Sequence, residues 1–248
     1  VCKELVMSEW KQKRFWENVH VVSSEDGYFI KLDDKILKTP AKKQMMLPTE
    51  ALAKRVAAEW DEQVEEIDPT KMLFTKSANA ALDKVSEQFT EVSSLLGEYG
   101  DTDLLYYRAD SPPELHKRQK TGWDPIIKWA ENSFNVQINC GTGIIYIPQN
   151  ERLFSEINLK INNLSIFELT AFYDMVSITG SLILGLAIIN GRLSAEEAYQ
   201  LSRIDELWQL EQWGEDEEAK AAAKQKNVAI LHSEEFFSLS GGNKSTIF

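Results

Sequence analysis

The sequence predicts an α+β protein, with a small mixed N-terminal domain of short strands and helices followed by an all-helical orthogonal bundle. β-rich runs broken by turn residues are concentrated before Pro48. Beyond residue 110, helix-start signals recur and apolar residues repeat at spacings of three and four. The most apolar run, 175–190, suits a buried bundle helix, because it is shorter than the ~20 residues that span a bilayer.

The strand signals of the first domain begin with a hairpin. The runs NVHVVS (18–23) and YFIKL (28–32) are rich in β-branched and aromatic residues, and the turn-forming SEDG separates them. Short strands are expected at 35–38 and 44–47, on either side of the Thr39-Pro40 break. Together these runs predict a small antiparallel sheet.

Helices are expected from Thr49 onward. Thr49 is a suitable N-cap for a helix to about Val64, and further segments are expected at 72–85 and 87–99. The second half adds segments at 111–134, 150–163, 166–190, 194–213 and 216–231, with a β-hairpin inside 136–147. We therefore expect domains at 11–105 and 106–233, and a flexible tail at 234–248.

The stretch from Gly191 to Glu218 combines an apolar helix face with a dense acidic face. Between 194 and 220 there are nine Asp or Glu against two basic residues. Trp208 and Trp213 stand inside this acidic field. Tryptophans beside charged groups are typical of protein-binding surfaces. The stretch therefore predicts a partner-binding site rather than bond-making chemistry.

Composition excludes several classes of function. The net charge of −12 argues against a nucleic-acid-binding protein, which needs a basic footprint to neutralise phosphates. The charge is unevenly distributed along the chain. Residues 11–55 carry ten Lys or Arg against six Asp or Glu and are therefore basic. Two cysteines without a CxxC motif favour a reducing compartment. No membrane insertion is expected.

Motifs for a metal, a cofactor or a small-molecule substrate are missing. None of the three histidines has another histidine or a cysteine at i+3 or i+4, so no metal site is predicted. Gly180 and Gly185 have the spacing of a P-loop but not its Lys-Ser/Thr, so no nucleotide site is predicted. No GxSxG elbow occurs, and no catalytic residue is assigned.

Glu211 is the acidic residue whose neighbours in the sequence say most about a possible binding role. It lies three residues after Trp208 and two before Trp213, close to the helix end at Gly214. It could contact a basic or amide group of a partner, or it could pair with a nearby arginine or cap the next turn. The sequence leaves both interpretations open. Trp60, in contrast, is expected to lie in the core.

Ordered motifs along the chain identify a family. They are KRFW (13–16), TPAKK (39–43), LPT (47–49), AAEWDEQ (57–63), IDP (67–69), TDLLYYR (102–108), PPEL (112–115), WDP (123–125) and LWQLEQWGED (207–216). Together they resemble the ATP synthase assembly chaperones of mitochondria and related bacteria, the F1 complex assembly factor 2 family. The resemblance covers roughly residues 13–232.

The resemblance implies a chaperone and not an enzyme. Its members bind the unassembled α subunit of F1-ATPase, shield the interface that faces the β subunit, and leave when β arrives. The expected partner is therefore that protein, with no cofactor, and the expected location is the bacterial cytoplasm or the mitochondrial matrix. An important acid of the family is carried onto Glu211, within a partner-binding set comprising Trp208, Glu211, Trp213, Glu215 and Asp216.

Two other functions remain open at this stage. One is an acid/base hydrolase that uses Glu211 together with Asp205 or Asp216, since paired carboxylates are abundant. The other is a structural adaptor that binds assembled complexes as well as free subunits. Glu211→Gln would abolish turnover by a hydrolase, and preference for a free subunit would distinguish a chaperone from an adaptor.

Overall fold

The computed structural model describes residues 13–214 and 216–242. Short strands lie near the N-terminus and helices form most of the remainder, which confirms the predicted α+β class. The chain divides into two compact units between Asn79 and Ala80. The second unit includes residues 80–105, which the sequence assigns to the N-terminal domain, because helix α3 (Phe89–Asp101) packs against helices later in the chain.

The first unit is built around an antiparallel hairpin. Strands β1 (Val19–Ser24) and β2 (Gly27–Leu32) pair from Val19 opposite Leu32 to Ser24 opposite Gly27. The turn falls in SEDG, so the predicted hairpin is confirmed. Strands β3 (Lys35–Ile36) and β4 (Met46–Leu47) both pair with β2. The sheet is therefore centred on β2, which carries the buried Ile30.

Helix α1 (Glu50–Asp61) covers this sheet and is joined to α2 (Leu73–Ala80) through a buried carboxylate. Glu59 accepts hydrogen bonds of 2.8 Å from the backbone N–H groups of Phe74 and Thr75 and from the Thr75 hydroxyl. Burial raises the pKa of Glu59, and the two N–H groups oppose that rise. A 3₁₀ turn (Pro69–Lys71) lies between the two helices.

Trp60, expected in the core, is only half-buried at the end of α1. Its ring lies 5.2 Å from that of Trp16, measured between centroids, and Trp16 is buried. The two indoles therefore form an aromatic contact in the first unit.

In the residues that the structure describes, the regular structure of the second unit is helical apart from one pair of two-residue strands. A π-helical turn (Ala81–Val85) and a 3₁₀ turn (Leu104–Tyr106) accompany its helices. The helices after α3 are α4 (Pro113–Phe134), α5 (Glu151–Asn162), α6 (Ile166–Thr179), α7 (Leu182–Ile189), α8 (Ala195–Ser202), α9 (Ile204–Trp213) and α10 (Glu217–Leu239).

The core of this unit is formed by α6 and α7. Every residue of α7 is buried, and α6 packs against both α7 and α10. The continuous segment expected over 166–190 is interrupted, because Gly180 takes a left-handed φ of 66° and ends α6. Ser181 then caps α7. Within the described part of the chain, no helix has the length and apolar character needed to cross a membrane.

Asp103 holds the start of α7 in place. Its carboxylate accepts hydrogen bonds from the Ser181 hydroxyl (2.8 Å), the Ile183 N–H (3.0 Å) and the Leu105 N–H (2.9 Å). The side chain is completely buried, and this burial raises the pKa of Asp103 to about 6. A loop carboxylate therefore supplies acceptors for N–H groups that a helix start leaves unpaired.

Two further expectations for the second unit are wrong. The hairpin expected inside 136–147 is absent; only β6 (Gly141–Thr142) forms there, parallel to β5 (Tyr107–Arg108). The last helix continues past Leu231 to Leu239, because Phe236 and Phe237 are buried among the bundle helices. Residues 234–239 of the expected flexible tail are therefore helical, while 243–248 lie outside the described residues.

Candidate partner-binding face

Three of the predicted binding residues, Trp208, Glu211 and Trp213, lie on α9, which packs along α4. A glycine of α4 permits the close approach of the two helices. A Cβ atom added to Gly122 would stand 2.8 Å from Ile204 Cδ1 and 3.0 Å from Leu201 Cδ2. The indole N–H of Trp123 donates to the Leu201 carbonyl oxygen at 2.8 Å, where α8 gives way to α9. The two helices therefore form one continuous surface.

Arg118 of α4 and Glu211 of α9 form a two-pronged ion pair on this surface. Arg118 Nη1 donates to Glu211 Oε1 at 2.6 Å, and Nη2 donates to Oε2 at 2.7 Å. Both side chains are about half exposed. The Arg118 hydrogen bonds lower the pKa of Glu211. Of the two interpretations left open by the sequence, the structure bears out pairing with an arginine.

The same guanidinium stacks on Trp208, one of the residues predicted to bind a partner. Arg118 Cζ lies 4.8 Å from the centroid of the Trp208 ring, within the range of a cation–π contact. A shallow groove of about 640 Å³ opens beside this stack. Its walls are formed by Lys117 and Thr121 of α4 and by Gln212 of α9, with Trp208 and Arg118. The groove thus combines an aromatic face with donors and acceptors.

Trp213 ends α9 and is 80% exposed. Gly214 follows with a φ of 90°, which turns the chain away from the helix. Asp216 is the N-cap of α10, where its carboxylate accepts from the Ala219 N–H at 3.3 Å. Glu215 lies outside the described residues. The structure therefore places Trp208, Glu211 and Trp213 on one helix and gives Asp216 a capping role.

Sequence reasoning missed two partners on α4. One is Arg118 itself. The other is Gln119, which is 2% exposed, donates to Asp205 Oδ1 at 2.6 Å and accepts from the Ala109 N–H at 2.7 Å. The PPEL and WDP motifs bracket both residues. Those motifs predict a helix but do not indicate which of its side chains face α9.

This arrangement is better suited to contact than to acid/base chemistry. A catalytic acid pair needs one carboxyl with a raised pKa, whereas the pKa of Glu211 is lowered by Arg118. Asp205 and Asp216 are held by different groups, Gln119 and the Ala219 N–H. In the described ranges, no cluster of three or more His, Cys, Asp or Glu side chains could hold a metal ion.

Comparison with known proteins places the chain in a family. The sequence profile of the ATP12 chaperone protein matches residues 13–131. The mitochondrial protein atp12 of Schizosaccharomyces pombe is 30% identical over 220 residues, which is 84% of this chain and 75% of that protein. This result confirms the family predicted from the ordered motifs.

Solved structures agree with the sequence comparison. The crystal structure of Atp12 from Paracoccus denitrificans is 46% identical and has a TM-score of 0.90, covering 94% of this chain and all of that one. A mutant of the same Atp12p matches with a TM-score of 0.91 at the same identity and coverage. The predicted class, a chaperone of ATP synthase assembly, is thereby supported. The chain belongs to the ATP12 chaperone family.

Proposed function

We propose that this chaperone binds the unassembled α subunit of F1-ATPase, covers the surface that later meets the β subunit, and is displaced by β without nucleotide hydrolysis. The observation that carries the proposal is the arrangement on α9, where the Arg118–Glu211 pair lies against Trp208 and the helix ends at Trp213, which is 80% exposed. A tryptophan stacked under an arginine that is paired with a carboxylate has the composition of a protein-binding hot spot.

The contact set on this face comprises Trp208, Glu211 and Trp213, with Glu215 and Asp216 adding negative charge. The groove beside Trp208 offers an apolar ring stacked under a guanidinium, so it suits a client side chain that is partly apolar and partly polar. The acids that follow Trp213 favour a basic rim on the client. The face therefore fits a subunit interface rather than a small substrate.

Release by competition is consistent with the energetics of protein interfaces. A lone subunit exposes apolar surface that promotes non-native association. A standard interface buries about 1,600 Å² in total, and a final partner that buries more displaces a temporary one. We propose that no catalytic step is involved. The work takes place where F1 is assembled, in the bacterial cytoplasm or the mitochondrial matrix.

The test is suppression of α-subunit aggregation after dilution from denaturant, followed by light scattering without nucleotide. We expect the parent chain to hold α in solution and addition of β to release it, as measured by size-exclusion chromatography. A parent chain that leaves α aggregating would contradict the proposal. Equal binding to assembled F1 would instead indicate an adaptor.

The face itself is tested with Trp213→Ser, and Leu159→Ser serves as the matched control. Leu159 is 61% exposed on α5, so the control also removes exposed apolar surface from the same unit. We expect Trp213→Ser to weaken α binding by about tenfold and the control to leave it unchanged. Equal affinities for the two variants would show that the contact lies elsewhere.

A further inference from the structure

A second feature of the helical unit is a loop whose base is closed by side chains. In this loop, residues 139–149, the Asn139 N–H donates to Gln149 Oε1 at 2.9 Å, and Gln149 Nε2 donates to the Asn139 carbonyl oxygen at 2.8 Å. Asn139 Nδ2 also donates to the Pro148 carbonyl oxygen at 2.8 Å. These three bonds fix the two ends of the loop against each other.

The body of the loop is also anchored. The Gly143 N–H donates to the Arg108 carbonyl oxygen at 2.8 Å, which continues the β5–β6 pairing by one residue. On the other side, the Tyr146 hydroxyl donates to Asp101 Oδ1 at 2.8 Å. The loop is therefore tied to the bundle immediately before and immediately after its tip, which consists of residues 144 and 145.

Between these anchors the loop presents two isoleucines to solvent. Ile144 is 98% exposed and Ile145 is 80% exposed, which makes them the most exposed pair of adjacent large apolar residues in the described chain. Neither side chain contributes to the core, so folding gains nothing from their apolar character. Because Gly143 is hydrogen-bonded through its backbone and Tyr146 through its side chain, the isoleucines between them are held outward before any partner arrives.

The charge around the tip is negative. Asp101 binds Tyr146, and the Asp110 carboxylate would lie 3.1 Å from a Cβ atom at Gly143. The nearby cation, Arg108, is buried and donates to Asp124 at 2.8 Å, so its charge is offset within the unit. An apolar tip flanked by carboxylates is complementary to an apolar pocket with a basic rim. It is poorly matched to an anionic membrane surface.

The loop also borders the helices that carry the binding face. A groove of about 660 Å³ is lined by Gly143 and Ile144 of the loop together with Gln119 of α4 and Asp205 of α9. Trp208 and Glu211 follow Asp205 on the same helix. A client seated on α4 and α9 is thus within reach of the loop.

We propose that the loop, through Ile144 and Ile145, inserts into an apolar pocket with a basic rim on the client protein, as a second anchor beside the α9 face. This inference rests on the proposed function for its client, the unassembled F1 subunit. A loop that is already hydrogen-bonded in place loses less conformational freedom on binding than an unanchored one, which favours affinity.

The experiment compares Ile144→Ser/Ile145→Ser with Leu159→Ser/Val228→Ser. The control residues are 61% and 50% exposed in the same unit and belong to helices α5 and α10 rather than to the loop. Binding is measured with purified F1 α and, separately, with purified F1 β, and thermal unfolding verifies each fold. We expect the loop variant to bind α about tenfold more weakly than the parent, and the control to match the parent.

The outcomes separate the two proposals. If parent and loop variant bind α equally well, the loop inference is overturned and the α-subunit proposal stands. If the parent binds β but not α, and the loop variant loses binding to β while the control variant keeps it, the α assignment fails and the loop inference holds. If the parent binds neither subunit, both fail. Loop-dependent self-association in sedimentation, or loop-dependent binding to phosphatidylglycerol vesicles, would overturn the client assignment.

The basic rim is tested with Asp101→Asn/Asp110→Asn. Asparagine at 101 keeps an oxygen for the Tyr146 hydroxyl, so the charge is removed while the anchor is retained. We expect client binding to weaken several-fold at low salt and the difference from the parent to vanish at high salt, where exposed charges are screened. Unchanged affinity at low salt would overturn the assignment of a basic rim.

Discussion

Glu211 uses both carboxylate oxygens to bind Arg118, a residue 93 positions earlier in the chain. Because the same guanidinium lies over the Trp208 ring, the carboxylate fixes the position of the arginine that lines the groove. Glu211 thus acts on the binding face through Arg118 as well as through its own charge.

The first prediction concerns this pair. Arg118→Gln is expected to return the pKa of Glu211 upward toward the usual glutamate range, because the Arg118 hydrogen bonds are the main cause of its lowering. In the parent, the stabilisation by the ionised carboxylate is present at neutral pH and is lost as pH falls through the lowered pKa. NMR titration of the Glu211 side chain measures the shift.

The pair is half exposed, so Arg118→Gln should leave the free energy of unfolding almost unchanged. The exchange of partners, Arg118→Glu with Glu211→Arg, should restore the ion pair while reversing the charge offered to a client. An unshifted Glu211 titration in Arg118→Gln would contradict the geometry described here. Full client binding by the exchanged protein would assign Glu211 a positioning role only.

The second prediction concerns the packing of α4 on α9. Gly122→Ala places a methyl group 2.8 Å from Ile204 Cδ1, so the helices must separate or side chains must shift. We expect a loss of about 1–3 kcal/mol in the free energy of unfolding, measured by urea denaturation. Gly97→Ala is the control, because its new Cβ meets only the Asn158 side chain at 3.3 Å. Equal effects of the two substitutions would be inconsistent with close packing at Gly122.

Local signals predicted much of this fold. Ser165 and Ser194 each precede a glutamate by three residues, which is the spacing of a capping box, and both boxes are formed, with Glu168 and Glu197. The hairpin in SEDG also forms. In each case the stabilising groups lie within a few residues of each other, so the sequence alone contains the whole interaction.

Features that depend on distant residues were not predictable in the same way. Helix α10 extends to Leu239 because Phe236 and Phe237 are buried by other helices, and nothing adjacent in sequence reveals that burial. The binding face shows the same limit. The tryptophans and Glu211 could be selected from their own stretch, whereas Arg118 becomes a partner only after α4 and α9 are packed.

The third prediction is a pH effect of Asp103. Its folded pKa of about 6 lies above the usual aspartate value, so the folded state binds more protons than the unfolded state between about pH 4 and pH 6. This group therefore makes the protein less stable as pH rises through that window. Subtracting the unfolding free energy of Asp103→Asn from that of the parent isolates the effect.

We expect that difference to be larger at about pH 5 than at about pH 7.5, when measured by urea denaturation. Asp103→Asn should be destabilising at both values, by about 2 kcal/mol or more, because one of the two oxygens that accept from Ser181 and Ile183 becomes an N–H₂ donor. A difference that grows with rising pH would contradict a raised Asp103 pKa.

The fourth prediction concerns the first unit. Glu59→Gln replaces one carboxylate oxygen with a donor, so the N–H of either Phe74 or Thr75 loses its acceptor in a buried site. We expect a loss of about 2–3 kcal/mol in unfolding free energy. Glu62→Gln, at an exposed site just after the same helix, should change it by less than about 0.5 kcal/mol. Faster hydrogen exchange at the Phe74 and Thr75 amides in Glu59→Gln would locate the loss at the α1–α2 junction. Unchanged exchange at both amides would show that Glu59 does not hold that junction.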